Sequence, residues 1–168
     1  LHGDTKDAYD LAKDIVHGRT NLPTPVLNGV RNGDFNGVSC CVISADDSVE
    51  SIEVAQHLAV RMTAKKAGIG VEFTTRTAKA DVKGGRIKHL GKHPIYSHVD
   101  TGVKEFTQET RGGSATVGFT CIDPEVYNIC LWKSQRIDLE QRLDRLDYSF
   151  IFNDAFLDAV VNRKSWFL

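Results

Sequence analysis

The stretch that organises this chain is VSCCVISADDSVESI, residues 38–52. Residues 38–44 are a mostly apolar run, which predicts a buried β-strand. A helix is predicted to follow, because Asp47 with Glu50 three residues later resembles a capping box in which aspartate is the cap. Lys65, Lys66 and Gly68 predict the end of that helix. Its apolar stripe is Ile52, Ala55, Leu58, Ala59 and Met62.

Strands and helices alternate along the rest of the chain. Upstream, a helix is predicted at 5–18, an extended segment at 21–25 and a loop at 29–37. Downstream, the predicted elements are a strand at 69–75, a basic loop at 76–91, a helix at 94–107, a strand at 115–122, a helix at 123–133, a strand at 148–153 and a helix at 155–162. Repeated strand–helix units predict an α/β fold with parallel strands and intervening helices. We expect one α/β domain or half of a barrel.

Composition and charge exclude several classes of protein. The chain has 168 residues, of which 41% are apolar and 26% charged, as in globular domains. Its net charge of −1, from 21 basic and 22 acidic residues, argues against nucleic-acid binding. Residues 61–92 hold nine basic and two acidic side chains, an excess of +7 that suits a compact phosphate ligand. The plain alternative for this region is a solvated helix face and loop.

The cysteines, the histidines and the two ends carry further information. The four cysteines include no CxxC pair, and the six histidines show no metal spacing, so no metal site is predicted. No apolar run has the length of a membrane helix and no secretory signal opens the chain, so we expect a cytoplasmic protein with no membrane partner. The single methionine is Met62 and the chain ends on large apolar residues. We therefore expect a polypeptide cut from, or encoded apart from, a longer protein, with a trimmed or processed end as the alternative.

Three motifs, taken in order, point to a family. They are LPTPV at 22–26 followed by Ser39-Cys40, then DSVESI at 47–52 leading to AGIG at 67–70, and then QETRGGSAT at 108–116. The stretch RLDY at 145–148 belongs to the same series. In this order and at these separations the motifs resemble the large, catalytic subunit of ribonucleotide reductase. The resemblance covers roughly residues 20–168 and is carried by the ordered set more than by any one motif.

The resemblance implies a fold and a domain organisation. The family's catalytic domain is a ten-stranded α/β barrel, and this chain matches its first half. Residues 1–20 would form an N-terminal helix leading into the barrel, and residues 21–168 a half-barrel segment. The family's thiyl-radical cysteine, second redox cysteine and C-terminal cysteine pair have no match in this sequence, so we expect no catalysis by this chain alone.

The resemblance also implies roles in ribonucleotide reduction. The family removes the 2′-hydroxyl of a ribonucleotide by radical chemistry, while two cysteines, one on each of two strands, supply the two electrons and become a disulfide. Cys40 matches the first of that pair, whereas Cys41 would point to the other face of the strand and pack. Two inert core cysteines are the alternative. Thr24, Ser39 and Gly68 match substrate-contacting positions; their plain alternatives are a turn threonine, a strand serine and a helix-ending glycine.

A regulatory nucleotide site is the next implied feature. Asp47, Ser48, Arg76 and Lys83 fall where the family binds a deoxynucleoside triphosphate effector that selects the substrate. A cationic loop suits a triphosphate, and a carboxylate at a helix start suits hydroxyl and amine groups. Taken singly, Asp47 would be a helix cap and the two cations would be solvated. The loop is one residue shorter than the bacterial pattern, and Lys83 replaces an arginine, which loses the bidentate fork.

The third motif matches the loop that relays effector identity to the substrate base. Its members in this chain are Gln108, Arg111, Gly112 and Gly113. The glycines would supply backbone freedom, and Arg111 could stack on a base or donate hydrogen bonds to it. This loop is also one residue shorter than the family pattern.

The resemblance also implies several partners. They are the remaining C-terminal part of the large subunit, a radical-generating small subunit, a ribonucleoside diphosphate substrate and a second copy of the chain packed through the 47–66 helix. No cofactor would bind this chain directly apart from the effector. The radical would come from a di-iron small subunit, with cobalamin as the alternative.

Two other functions stay open at this stage. The first is a nucleotide-sensing binding module that has no catalytic role. The second is an unrelated α/β phosphate-binding domain.

Overall fold

The computed structural model describes residues 5–33, 40–65, 67–82, 86–106 and 113–168. It divides into two compact units, Leu1–Ser39 and Cys40–Leu168. The first unit contains helices α1 (Thr5–Val16) and α2 (Thr24–Asn32). Helix α1 agrees with the helix predicted at 5–18, and it has no buried residue.

Helix α2 corrects the predicted extended segment at 21–25 and part of the predicted loop at 29–37. Pro23 is extended (φ −66°, ψ 150°), and Pro25 lies in the first turn of the helix. A proline there costs no hydrogen bond, because the first N–H groups of a helix have no partner within it. The helix ends at Gly33, whose φ of +72° suits glycine and whose N–H donates to the Gly29 carbonyl at 2.9 Å. The prediction took two prolines as evidence against helix when one of them opens it.

The second unit is a parallel sheet with helices between its strands. In chain order its elements are β1 (Cys40–Ala45), α3 (Val49–Ala64), β2 (Gly68–Phe73), β3 (Asp81–Val82), β4 (Ile87–Lys88), α4 (Lys92–Glu105), β5 (Ala115–Thr120), α5 (Val126–Leu131), β6 (Leu146–Ile151) and α6 (Asp154–Val161). A 3₁₀ turn at Leu139–Gln141 precedes β6. The sheet order is β1-β2-β5-β6, and every neighbouring pair is parallel. The predicted α/β class is confirmed.

The core lies between the sheet and the helices that pack on one of its faces. Helices α3 and α4 contact each other and the central strands. Val71 and Val117 of β2 and β5 meet Tyr96, Val99 and Val103 of α4 there, and all five are at most 2% exposed. Apolar area removed from water is the main stabilising contribution, at about 25 cal/mol per Å². The pattern of buried residues therefore fixes which face of each strand turns inward.

Several local predictions need correction. Strand β1 is buried on one face only, since Ala45 is buried whereas Cys40 is exposed and Val42 is 88% exposed. The predicted basic loop at 76–91 contains the antiparallel pair β3–β4, and the helix predicted at 123–133 covers only Val126–Leu131. Gly68 opens β2 instead of ending α3, whose cap is Lys65. Two-residue strands and single-turn helices carry too few residues for a periodic pattern, so sequence periodicity does not reveal them.

The N-terminal cap of α3 is also different from the prediction. Ser48, not Asp47, caps the helix, and its hydroxyl accepts a hydrogen bond from the Ser51 N–H at 3.2 Å. Both residue types are good caps, so the sequence does not separate them. The Asp47 carboxylate is instead engaged by a residue far along the chain, which no local pattern predicts.

Candidate functional site

The two faces of the sheet differ in cover and in side-chain size. Helices α3 and α4 cover one face, and we call the other the open face. Side chains alternate along a strand, so the open face carries Cys40, Val42, Ser44, Gly68, Gly70, Glu72, Thr116, Gly118, Thr120, Asp147, Ser149 and Ile151. Three of these are glycines and most of the others are small or polar.

Cys40 lies on the open face at the first position of β1. Its register partner on β2 is Gly68, which presents no side chain beside it. The neighbouring Cys41 points to the covered face and packs against the core, as expected for a structural cysteine. The alternation of the strand thus separates the two adjacent thiols onto different faces. A reactant approaching the open face would meet the Cys40 thiol with little steric obstruction from β2.

Glycines keep the middle of the open face low. A β-carbon built on Gly70 would lie 3.7 Å from Val42 Cγ2, and one built on Gly118 would lie 3.5 Å from Ile151 Cδ1. Both are ordinary van der Waals distances, so the described residues leave room for side chains that the sequence does not supply. Glycine in a strand interior lowers stability, so its use at these two positions is better explained by the close approach of another group to the open face.

Asp47 and Arg76 meet at the carboxyl ends of β1 and β2. The Arg76 Nε donates to Asp47 Oδ2 at 2.6 Å, and the Arg76 backbone N–H donates to Asp47 Oδ1 at 3.2 Å. A third donor, Arg76 Nη1, contacts the Asp81 carbonyl at 3.0 Å. The side chains are 37% and 33% exposed, so the pair contributes only about 0–1 kcal/mol to stability. Its main consequence is positional, because it holds the Arg76 guanidinium at the start of the predicted basic loop, residues 76–91.

Ser48 lies beside this pair, but its hydroxyl accepts the Ser51 N–H and caps α3. Gly113 is the one described member of the predicted relay loop. A β-carbon on Gly113 would lie 2.3 Å from the Val103 carbonyl oxygen and 2.4 Å from Thr63 Cγ2, so only glycine fits there. This residue sets the close passage of the chain over α4 as it enters β5.

The remaining predicted site residues fall into two groups. Thr24 is the first residue of α2, in the N-terminal unit. Ser39, Lys83, Gln108, Arg111 and Gly112 lie outside the described residues. The structure therefore brings Asp47 and Arg76 together and places Cys40 and Gly68 side by side.

The comparisons with known proteins decide the family. The family model described as "Ribonucleotide reductase, barrel domain" matches residues 38–168. The chain belongs to this family. It is 34% identical over 140 residues to the ribonucleoside-diphosphate reductase subunit alpha of Enterobacteria phage T4, covering 82% of this chain and 19% of that protein. The corresponding figures are 32% over 145 residues, 85% and 19% for the Haemophilus influenzae subunit alpha, and 32% over 137 residues, 80% and 18% for that of reductase 1 of Escherichia coli.

The chain spans about a fifth of the length of the curated reductase subunits that it matches. The matched family domain begins two residues before Cys40 and includes the parallel sheet, α3, α4 and the Asp47–Arg76 pair. The four-stranded sheet of this ribonucleotide reductase segment therefore belongs to the family's barrel domain.

One cluster in the reductase segment was not anticipated from the sequence. Lys92, at the first position of α4, is 4% exposed and its Nζ lies 2.8 Å from Asp123 Oδ2. The Lys92 backbone N–H donates to the Glu125 carboxylate at 3.2 and 3.4 Å, and the Glu125 N–H donates to Asp123 Oδ1 at 2.9 Å. Gly91 makes room, since a β-carbon there would lie 2.3 Å from Glu125 Oε1. The sequence predicts residues 123–125 only as the start of a helix, and no local pattern links Asp123 or Glu125 to Lys92.

The cluster borders a cavity of about 310 Å³ at the carboxyl ends of β2 and β5. Residues lining it include Glu72, Thr75, Lys92, Thr120 and Asp123. The Thr75 hydroxyl is buried without a hydrogen-bond partner among the described residues. Removing one member of a buried ion pair costs about 3–5 kcal/mol, so the Lys92–Asp123 pair constrains this end of the sheet far more than the exposed Asp47–Arg76 pair does.

Two tyrosines contribute to the covered side, Tyr96 fully buried and Tyr148 partly buried. Burial raises the pKa of Tyr96 and of Tyr148 well above that of an ordinary tyrosine. The Tyr96 hydroxyl donates to the Gly118 carbonyl at 3.4 Å, while the Tyr148 hydroxyl has no partner among the described residues.

Within the described part of the chain, no group of three or more His, Cys, Asp or Glu side chains could hold a metal ion. No described helix is long and apolar enough to cross a membrane.

Proposed function

We propose that this chain is a segment of a ribonucleoside-diphosphate reductase large subunit and works only together with the remainder of that subunit. The observation that carries the proposal is the family match over residues 38–168 combined with the position of Cys40 on the open face. Residues 21–168 would contribute part of the catalytic barrel, and residues 1–20 would lead into it. The substrate would be a ribonucleoside diphosphate.

The proposed role of Cys40 is to supply one of two thiols that reduce the substrate. In the balanced reaction the C2′–O bond breaks and the hydroxyl leaves as water with a proton from a thiol. The hydrogen of a second thiol forms the new C2′–H bond, and the two sulfurs join in a disulfide. The second cysteine and the radical-forming group would lie on the companion segment. The proposal is supported by the position of Cys40, which is exposed and lies at the strand start beside Gly68. Thr24 and Ser39 would contact the substrate diphosphate.

The proposed regulatory role belongs to the Asp47–Arg76 pair. The guanidinium of Arg76, with Lys83, would bind the phosphates of a deoxynucleoside triphosphate, while Asp47 and Ser48 would face its ribose and base. The pair is weak enough at the surface for a ligand phosphate to compete for Arg76. Gln108, Arg111, Gly112 and Gly113 would relay the identity of the bound effector to the substrate base.

The proposed partners follow from exposed apolar side chains. Val54 and Leu58 of α3 are 59% and 37% exposed and lie four residues apart on one helix face. This supports a homodimer packed through the 47–66 helix. Val161 and Phe167, at 78% and 87% exposed, supply apolar surface for the companion segment. A separate small subunit, of the di-iron kind, would supply the radical, with cobalamin as the alternative source.

A nucleotide-sensing module without catalysis is the second candidate. It is favoured by one observation: the described residues form the Asp47–Arg76 pair within this chain, without help from another polypeptide. Such a module would bind deoxynucleoside triphosphates when pure and would need no companion.

Affinity purification of the chain from its native source tests the two candidates. The proposal predicts that a larger polypeptide copurifies, that its intact mass accounts for the missing reductase segment, and that the complex reduces ribonucleoside diphosphates. Recovery of the chain alone, with tight effector binding, would favour the sensing module. Reduction of a ribonucleoside diphosphate by the pure chain alone would contradict the proposed dependence on a companion.

A further inference from the structure

The position of Lys92 is not explained by the helix that carries it. Lys92 is the first residue of α4, where the helix dipole disfavours a cation. The side chain is nevertheless 4% exposed, and a buried ammonium is unfavourable unless it is paired. Asp123 provides the pairing charge, and Glu125 accepts the Lys92 backbone N–H. The Lys92 ammonium makes one further contact besides its pair with Asp123.

That contact joins Lys92 to the end of β2. The Lys92 Nζ donates to the carbonyl oxygen of Thr75 at 3.3 Å. Thr75 directly precedes Arg76, the residue that pairs with Asp47. The Thr74 N–H, on the other side, donates to the Ala45 carbonyl at the end of β1 at 3.0 Å. The chain between β2 and Arg76 is therefore fastened on one side by β1 and on the other by Lys92.

We propose that Lys92 is a positioning residue for Arg76. By holding the Thr75 carbonyl, it sets where the chain leaves β2 and thereby the distance and direction at which the Arg76 guanidinium meets Asp47. Lys92 also pairs with Asp123 in the turn after β5. It thereby links the end of β2, the start of α4 and this turn, and we expect these three parts of the chain to move together. The proposal rests on the effector role proposed for Arg76 only for its functional consequence, since the structural consequence can be measured without a nucleotide.

A matched pair of double variants separates positioning from general stability. Lys92→Met with Asp123→Asn removes both buried charges, keeps an oxygen that accepts the Glu125 N–H, and removes the donor to Thr75. Lys104→Met with Asp100→Asn makes the same substitutions at the other end of α4, where Asp100 is buried and the Lys104 side chain is 43% exposed. There, Lys104 pairs with Asp100, whose carboxylate accepts the Arg145 N–H at 2.7 Å.

Amide hydrogen exchange and the NMR signals of Arg76 give the direct readout in the full 168-residue chain. The Lys92→Met/Asp123→Asn variant is expected to speed exchange of the Arg76 N–H by at least about tenfold and to move the Arg76 Nε–Hε signal. The Lys104→Met/Asp100→Asn variant should leave both unchanged. A folded Lys92→Met/Asp123→Asn variant with unchanged Arg76 exchange would overturn the proposal.

A measurement on the unmodified chain decides the matter even if the variants do not fold. If Lys92 connects the two segments, the N–H of Arg76 and that of Lys92 should open together and have protection factors within about threefold of each other. Exchange at Arg76 that is faster by a hundredfold or more would mean that the two segments open independently, and the proposal would be wrong.

Binding of dATP, dGTP and dTTP, each measured separately, tests the functional consequence. The Lys92→Met/Asp123→Asn variant is expected to weaken the binding of whichever nucleotide the unmodified chain binds by about tenfold or more, and the matched control by less than about twofold. If neither the unmodified chain nor its complex with the companion segment binds any of the three, the effector role proposed for Arg76 fails, while the exchange data still decide whether Lys92 positions it. Normal binding by the variant with fast exchange at Arg76 would contradict the functional consequence.

Discussion

The covered face and the open face of one sheet follow opposite rules. On the covered face, Val71 and Val117 are almost fully buried beneath α4. On the open face, Val42 is 88% exposed and Gly70 and Gly118 present no side chains. The same four strands supply both faces, so backbone pairing is shared and only the side chains differ. Within the described residues of the Cys40–Leu168 unit, the buried core therefore lies on the covered face, and the open face carries mostly small and polar side chains.

Substitution of the two adjacent cysteines is expected to give the largest difference between the open and the covered face. Cys40→Ser is expected to lower ribonucleotide reduction by the reconstituted complex more than about 1000-fold, equivalent to at least about 4 kcal/mol in the activation free energy, because the thiol cannot be replaced by a hydroxyl in disulfide formation. Its stability should change by no more than about 0.5 kcal/mol, since the side chain is exposed. Steady-state rates and urea unfolding measure the two effects.

Cys41→Ser is the matched control for that prediction. It places a hydroxyl against the core, so we expect a loss of about 1–3 kcal/mol in the free energy of unfolding and less than about a tenfold loss of activity. Equal activity losses for Cys40→Ser and Cys41→Ser would mean that the two faces do not divide chemistry from packing.

Identical valine truncations on the two faces measure the stability difference itself. Val117→Ala removes two buried methyl groups at a fully buried position and is expected to cost about 2–3 kcal/mol in the free energy of unfolding. Val42→Ala removes the same atoms from an exposed position and should cost no more than about 0.5 kcal/mol in the chain alone. Chemical denaturation of the two variants checks this, and similar costs would show that the open face is covered in solution.

The partly buried Tyr148 predicts a smaller, pH-dependent effect on stability. The pKa of Tyr148 is raised in the folded state, so the native chain keeps a proton that the unfolded chain loses above about pH 10. Stability should therefore fall as pH rises above about 10. Tyr148→Phe removes one such proton and should reduce the slope of unfolding free energy by about 1.4 kcal/mol per pH unit near pH 11.

Urea unfolding at several pH values between 9 and 11 measures that slope. Ser149→Ala, at the neighbouring position on the open face, carries no titrating group and should leave the slope unchanged. At neutral pH the Tyr148→Phe variant should lose little stability, because the hydroxyl has no partner among the described residues. An unchanged slope in Tyr148→Phe would mean that the phenol is accessible in the folded chain.

The sequence predicted the parts of the fold that depend on repeated local patterns. The strands at 69–75 and 115–122 and the helix at 94–107 were correctly located because apolar residues recur over a sufficient length. The sequence pattern does not predict helix α2, because proline usually disfavours helix, whereas Pro25 lies in the first turn of this one. The pair β3–β4 and the short α5 provide too few residues for any periodic signal.

The candidate site was predictable only as far as the resemblance extended. Asp47 and Arg76 lie 29 residues apart; the resemblance assigns both to an effector site, but only the folded chain shows that they contact each other. Ser48 and Asp47 compete for the same cap, and a distant arginine decides between them. The Lys92–Asp123 pair joins residues 31 positions apart (123 minus 92) with no motif in common, so only the folded chain discloses it.

Mass spectrometry under non-reducing conditions tests the central claim most directly. The complex isolated from the native source would be given a ribonucleoside diphosphate without external reductant, quenched and digested. The account predicts a Cys40 peptide joined by a disulfide to a cysteine of the companion segment, formed only when substrate is present. A Cys40 that remains a thiol after the complex has made deoxyribonucleotide, or that pairs only with Cys41, would contradict the assignment of Cys40 as the redox cysteine.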